Sequence, residues 1–395
     1  MRELAIEGGS PVRAKMLPYG RQWIDDEDIE SVIQVLRSDW LTTGPNVSSF
    51  EESFAVQVGA RYAVAVSSGT AALHAAVSAA GIGTGDEVIV PAMTFAASAN
   101  CVRYRDATVV FADSRPDTLN VDPARVESAI TPRTRAIVTV DYAGQPSDLD
   151  EINAIAERYH LTVIEDGCHA LGAIYRGRPV GALAHLTTFS LHPVKHITTG
   201  EGGLVTTNDA DIAARLRLFR NHGITSDHRQ REVAGSWLYE MVELGYNYRL
   251  TDFQCALGQS QLRKFQTWLA RRRKIAARYA AALEAMPEIE PPTVLSDREP
   301  AWHLYVICLN LDRLRAGRAA VYKALRAENI GVNVHYIPVP WHPYYQKLGY
   351  AKGQWPVAEE AYGRILSLPI WPGMTDRDVD DVIAALRKVI KAYRT

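Results

Sequence analysis

From about residue 60 to residue 207 the chain alternates short β-branched runs with alanine-rich or amphipathic stretches, and this rhythm limits its folds more than any other feature. Parallel strands cannot be joined by a tight turn, so each needs a crossover, usually a helix, that covers a face of the sheet. Strands are expected at Ala63 to Val66, Glu87 to Val90, Val109 to Phe111, Ala136 to Val140, Thr162 to Ile164, Thr187 to Ser190 and Leu204 to Thr206. Helices are expected between them at Thr70 to Ala80, Ala96 to Tyr104, Pro123 to Ile130 and Leu149 to His160. The expected class is therefore α/β, with a mostly parallel sheet of seven strands.

Near Leu250 the pattern changes to a long helical stretch, Asp252 to Met286, which the proline-containing segment Pro287 to Pro300 ends. Strands at Leu304 to Leu309 and Val332 to His335, a helix at Ala319 to Asn329 and a last helix from Asp376 to about Tyr393 follow. This reads as a large α/β domain with an N-terminal arm over 1–250 and a smaller α+β domain over 251–395.

A chain of 395 residues with 47% hydrophobic content can bury a substantial core. Its 43 lysines and arginines against 45 acidic residues leave a net charge of −2, with no basic surplus to recruit nucleic acid. The one compact basic run, Arg271 to Lys274, reads as a solvated helix face. Four cysteines lie far apart without a C-x-x-C spacing, against a zinc ribbon or a disulfide framework. No apolar run reaches membrane-spanning or signal-peptide form, so a cytoplasmic protein is expected.

Chemistry concentrates at the carboxyl ends of the expected strands, where open α/β sheets bind ligands. Lys195, in "FSLHPVKHITTGEGG", follows a strand and precedes a glycine-rich turn, unlike any other lysine in the chain. A lysine lifted off the surface becomes a nucleophilic amine, because burial and nearby cations favour its neutral form. Ser68, Gly69 and Thr70 in "VSSGTAAL" stand where a strand meets a helix, a place whose free N–H groups can hold a phosphate, or which is simply a helix cap. Asp166 ends the run "LTVIED"; it is either a helix cap or a partner for a protonated ring nitrogen. Ser190 closes the next strand, five residues before Lys195, and Phe95 in "PAMTFAASAN" ends another and offers a flat face to a ring or to the core.

In chain order, from the Ser68–Thr70 turn through Phe95, Asp166 and Ser190 to Lys195, these residues reproduce the layout of fold-type I enzymes, whose cofactor is pyridoxal 5'-phosphate. Rival motifs fit less well. "GIGTG" from Gly81 lacks the third glycine of a dinucleotide fingerprint and precedes a strand. His192 and His196 are four apart, but Pro193 breaks the helix that a zinc site would need, and no metal is expected.

The stretches "WLTTGP", "EDGCHALG", "GEGG", "FRNHG", "GYNYRLTDFQCALGQSQL" and "WHLYVI" resemble the DegT/DnrJ/EryC1/StrS family of sugar aminotransferases over nearly the whole length. The resemblance implies that Lys195 is the catalytic Schiff-base lysine, that Asp166 meets the pyridine nitrogen, and that His169 lies near the ring hydroxyl. It implies a phosphate held by Ser190, Gly69 and Thr70. Asn247 would cross to the neighbouring subunit's cofactor, making the active unit a homodimer.

Within the family, Asp141 in "VDYAG" and the lead into Lys195 resemble members of the pseudaminic acid pathway. Those members move the amino group of L-glutamate to C4 of a UDP-linked 4-keto-6-deoxy-N-acetylhexose. By that resemblance Tyr19, the run Asp39, Trp40, Leu41 and Thr42, and His335, Tyr336, Ile337 and Pro338 line the nucleotide-sugar site, with Gly69, Ser190 and Asn247 beside them. Another nucleotide-sugar aminotransferase, acting on a UDP-4-keto-pentose or a GDP- or dTDP-keto sugar, is the alternative. A scaffold that binds the cofactor without turnover is the alternative from a different class.

Overall fold

The computed structural model describes residues 3–226 and 228–395. Its large sheet has seven strands: β1 (Tyr62–Val66), β2 (Glu87–Pro91), β3 (Thr108–Ala112), β4 (Thr134–Val140), β5 (Thr162–Asp166), β6 (Leu186–Ser190) and β7 (Gly203–Thr207). They lie in the order β1-β7-β6-β5-β4-β2-β3. The pairs β2–β3, β2–β4, β4–β5 and β5–β6 are parallel, while β7 runs antiparallel to both β6 and β1. All seven expected strands are present, and the mostly parallel sheet is as the alternation implied.

One antiparallel strand decides where the site forms. Gly203 pairs with Val66 of β1 and with Ser190 of β6, so these two strands, flanking β7, end at the same edge. The register Val140↔Asp166 and Asp166↔Thr188 brings the end of β5 to that edge too. Three segments that are far apart in sequence thereby meet.

Period-two alternation assigns the strand residues to two cores. Val64, Val66, Val88, Val90, Val138 and Ile164 pack on one face with the alanine-rich helix Gly69–Ala79. Ala63, Ala65 and Leu204 face the other way, onto Phe50, Phe54, Leu262 and Phe265, while Ile89, Ile137 and Val163 meet Ile152 and Ile155. Both faces are dry, which is why the central strands read as nearly continuous apolar runs.

A capping box of Thr251 and Gln254 starts the long helix Asp252–Leu283. Its first half, through Cys255, Phe265 and Leu269, belongs to the core under β1. Its second half, through Ile275, Tyr279 and Leu283, packs with Leu4, Leu17 and the final helix Asp376–Tyr393 in a separate cluster. Asp252 also accepts from Gly44 N at 2.7 Å and Asn46 N at 3.0 Å, closing the N-terminus of the helix Pro45–Val58.

Two expectations need correction. Val332 to His335 is not a strand: only Asn333 pairs, as a single bridge to Ser367, and the partner of Tyr305–Leu309 is Ile365–Leu368. The segment turns inward instead, where the Tyr142 hydroxyl binds His335 O and Tyr336 reaches His169, and Pro338 and Pro340 have no N–H for a ladder. Phe95 does not end a strand either; β2 stops at Pro91, and Phe95 stands in the turn before the helix Ala97–Arg103. Helices at Asp26–Leu36, Pro45–Val58 and Ala210–Phe219 lie where no element was expected.

Candidate active site

At the shared edge of β1, β5 and β6 a cavity of about 500 Å³ opens. Its walls include Tyr19, Ser68, Gly69, Thr70, Phe95, Asp166, His169, Ser190, Lys195, His335 and Tyr336, all of them expected site residues. Asp39, Trp40, Leu41, Thr42, Asn247, Ile337 and Pro338 do not line it in this chain. Thr42 instead bridges Thr251, Asn247 bridges Asn221 with its side chain exposed, and Pro338 is buried. Asp141, one of the two features that narrowed the substrate class, is fully buried below the end of β4 and does not reach the cavity.

Ser68 caps the helix Gly69–Ala79, its side chain accepting from Ala71 N at 3.0 Å. The N–H groups of Gly69 and Thr70 then find no acceptor among the described residues, and they stand at the positive end of an 11-residue helix. A Cβ on Gly69 would come within 2.8 Å of Ser190 Cβ and 3.1 Å of its Oγ. Only glycine leaves this cradle open, and it is shaped for an anion beside the Ser190 hydroxyl.

Asp166 is the last residue of β5, and both carboxylate oxygens are held. Oδ2 accepts from Ser98 Oγ at 2.7 Å, with Thr94 Oγ1 2.8 Å behind Ser98, and Oδ1 accepts from Cys168 N at 3.2 Å. These bonds fix the carboxylate in place, as a partner for a cationic ring nitrogen requires.

Lys195 keeps partial exposure to the cavity, yet the protein packed around its amine pushes the pKa below the ordinary 10.5, with Cys168 and Asp166 opposing the effect and Arg272 adding to it. Its Nζ lies 3.4 Å from His303 Nε2. Burial, and then the Lys195 charge, hold His169 well below the usual histidine range, so its ring is neutral. Its Nε2 is 3.0 Å from the Tyr336 hydroxyl. Burial also holds Tyr336 protonated, and its hydroxyl shares a hydrogen bond with Nε2, while His169 Nδ1 is a buried atom with no partner among the described residues. Phe95, 58% exposed, has its ring 5.8 Å from that of Tyr336.

The cradle, the held carboxylate, the unpartnered His169 Nδ1 and the crowded lysine fit pyridoxal phosphate group by group. Two residues of the site went unnoticed in the sequence. Ser98 stands four positions after Thr94 in "TFAASAN", across the turn into the helix Ala97–Arg103, and its partner Asp166 lies 68 residues away. His303 lies in "WHLYVI", 108 residues beyond Lys195, and no periodicity links the two.

Known proteins agree with this geometry. Residues 22–387 match the DegT/DnrJ/EryC1/StrS aminotransferase family. The spore coat polysaccharide biosynthesis protein SpsC of Bacillus subtilis is 45% identical over 384 residues, 96% of this chain and 98% of its own length. Among solved structures, the PLP form of Spr1654 from Streptococcus pneumoniae superposes with a TM-score of 0.90 at 30% identity, over 96% of this chain and 100% of that one. PseC of Helicobacter pylori, an aminotransferase in pseudaminic acid biosynthesis, gives 0.89 at 30% identity, over 96% of this chain and 100% of that one. This chain is thus a member of the DegT/DnrJ/EryC1/StrS aminotransferase family, and its solved relatives include a form that holds pyridoxal phosphate.

Proposed function

We propose that this enzyme transfers the amino group of L-glutamate to C4 of a UDP-linked 4-keto-6-deoxy-N-acetylhexose, as a cytoplasmic homodimer. The observation that carries the transaminase reading is the convergence of Lys195, Asp166 and His169 with the Ser68–Thr70 cradle on one cavity. The C4 and UDP assignment is supported by the likeness to PseC and by the lead into Lys195.

Pyridoxal phosphate, when bound, supplies a carbonyl that condenses with amines and a ring that stores the electron pair left when a C–H bond is broken. Gly69, Thr70 and Ser190 would bind its phosphate and Asp166 its ring nitrogen, while Phe95 offers a face to the ring. His169 Nδ1, which has no partner among the described residues, is available to the ring hydroxyl. Lys195 Nζ, on the cavity wall, is the group that would take a proton from glutamate Cα and give it up again. With the keto sugar it moves a proton in the opposite sense. A depressed pKa suits Lys195 to both steps, since it must accept and surrender a proton near neutral pH.

The homodimer reading is supported by an exposed apolar run. Val233, Trp237, Leu238, Met241, Val242 and Leu244 are all more than half exposed, and the run ends three residues before Asn247. Such a patch is a surface that a second copy would cover, bringing Asn247 to the other site. A second substrate reading, another nucleotide-linked keto sugar, is favoured by the higher identity to SpsC. Incubation with glutamate and a panel of UDP-, GDP- and dTDP-4-keto sugars separates the two. Amination of the UDP-N-acetylhexose alone is expected, and turnover only with GDP or dTDP compounds would overturn the assignment. In the same assay Lys195→Ala should leave no glutamate-bleachable colour.

A further inference from the structure

Beside Lys195 stands a group of imidazoles that the cofactor-binding residues do not account for. His303 Nε2 is 3.4 Å from Lys195 Nζ, and its ring lies 4.4 Å from that of His169 and 5.7 Å from that of His196. His196 is already engaged, its Nε2 on Ala301 O at 3.0 Å, whereas His303 Nδ1 is buried with no partner among the described residues. Besides these ring contacts, the His303 side chain has one hydrogen-bond partner among the described residues, the lysine amine.

The backbone that carries His303 is held by a second unusual residue. Arg272, 1% exposed, donates from Nη1 to the carbonyls of Trp302 at 3.1 Å, His303 at 3.4 Å and Ile370 at 3.0 Å, and it has no carboxylate partner among the described residues. An unpaired buried guanidinium is costly, and here it ties the segment bearing His303 to the long helix. Burial first, and then Lys195, His169, His196 and Arg272, hold the His303 imidazole well below its usual range, so one ring nitrogen keeps a lone pair.

We propose that His303 is a positioning residue for Lys195: whenever the amine is not bonded to the cofactor, Nε2 accepts a hydrogen bond from Nζ and holds it at one place on the cavity wall. This rests on reading Lys195 as the cofactor's lysine. A free lysine side chain samples many rotamers, and proton transfer between fixed carbon atoms loses rate steeply when the base wanders. A neutral amine that donates one hydrogen to His303 keeps its own lone pair free for the substrate proton. After taking that proton, the ammonium still donates to the same nitrogen, so the anchor lasts through both directions of transfer.

His303→Phe keeps a ring of similar size and removes the acceptor; His303→Gln restores an acceptor. In cofactor-free protein, labelling of Lys195 by an amine reagent across pH, read by peptide mass spectrometry, reports its ionisation directly. Besides burial, Cys168 and Asp166 act to raise its midpoint and Arg272 to lower it, and His169, His196 and His303 face the amine, each feeling its charge. Loss of a hydrogen bond to the ammonium should lower the Lys195 midpoint in the Phe variant by about one pH unit, while Gln stays close to the native value. In the loaded enzyme, single-turnover bleaching by glutamate should slow about tenfold or more in the Phe variant. The isotope effect with Cα-deuterated glutamate should rise as proton transfer becomes limiting, and Gln should recover both. A Phe variant with native midpoint and isotope effect, or a Gln variant that behaves like Phe, would overturn the proposal. If Phe does not fold, His303→Leu is read in the same way. Separately, borohydride reduction of native enzyme that fixes pyridoxal phosphate on a peptide other than that of Lys195 would refute the underlying site reading.

Discussion

Behind Asp166 two carboxyls share a buried space, and their titration should be visible in the stability of the whole protein. Asp141 and Glu165 are both fully buried. Asp141 Oδ1 accepts from Ser147 N at 2.8 Å and Glu165 Oε2 accepts from Thr187 Oγ1 at 2.7 Å. The remaining oxygens, Asp141 Oδ2 and Glu165 Oε1, have no donor among the described residues, and the two side chains are within hydrogen-bond reach of each other. Two acceptors cannot bond without a proton between them, so the pair retains one. Burial, with Asp166 adding repulsion, pushes Asp141 from its ordinary 3.8 up to about 7, and burial and the Asp141 charge drive Glu165 in the same direction.

Across that window the folded chain binds a proton that the unfolded chain has lost, so stability falls as pH rises. A displacement of about three pH units at ~1.4 kcal/mol each makes the cost of this one proton about 4 kcal/mol by pH 7. The double variant Asp141→Asn/Glu165→Gln replaces both acids with amides, which can pair donor to acceptor without titrating. In urea unfolding of cofactor-free protein between pH 5 and 7, it should gain ~1.4 kcal/mol per pH unit on the native chain, about 3 kcal/mol across the range. A native-minus-variant difference that stays flat across those pH values would refute the shared proton.

Three further outcomes are expected. Gly69→Ala places a Cβ 2.8 Å from Ser190 Cβ, so spectroscopic titration with pyridoxal phosphate should show affinity reduced more than tenfold, while the fold loses roughly 1–3 kcal/mol to overpacking. Ser98→Ala removes the 2.7 Å bond to the Asp166 carboxylate and should weaken cofactor binding about tenfold in the same titration, the range of roughly 1.5–3 kcal/mol for a bond to a charged group. Trp237→Glu, at a side chain 88% exposed in the isolated chain, should convert a dimer to monomers in sedimentation velocity with unchanged far-UV dichroism; a dimer that persists would count against the role of this patch.

The strands and the reacting groups on them were legible for one reason. A parallel sheet buried on both faces writes its strands as apolar runs, and its ligands come to strand ends, so Asp166, Ser190 and Lys195 carry their positions with them. Val332 to His335 has the same β-branched look but turns inward after one bridge, where His335 Nδ1 meets Ser367 Oγ and the next residue, Tyr336, reaches His169. Asp39 to Thr42 and Asn247 were named through family likeness, and within one chain they lie away from the cavity. His303 could not have been found by pattern, for its partner is 108 residues away.

Local chemistry thus determined the elements, the identity of the amine and carboxylate, and the helix end suited to an anion, since each depends on neighbours a few residues apart. The meeting of those groups, the neutral His169 and His303, the fixing of Asp166 by Ser98 and the proton held by Asp141 and Glu165 were decided by the tertiary structure. Each depends on desolvation and contact between distant segments, brought to one edge by the antiparallel pairing of β7 with β1 and β6.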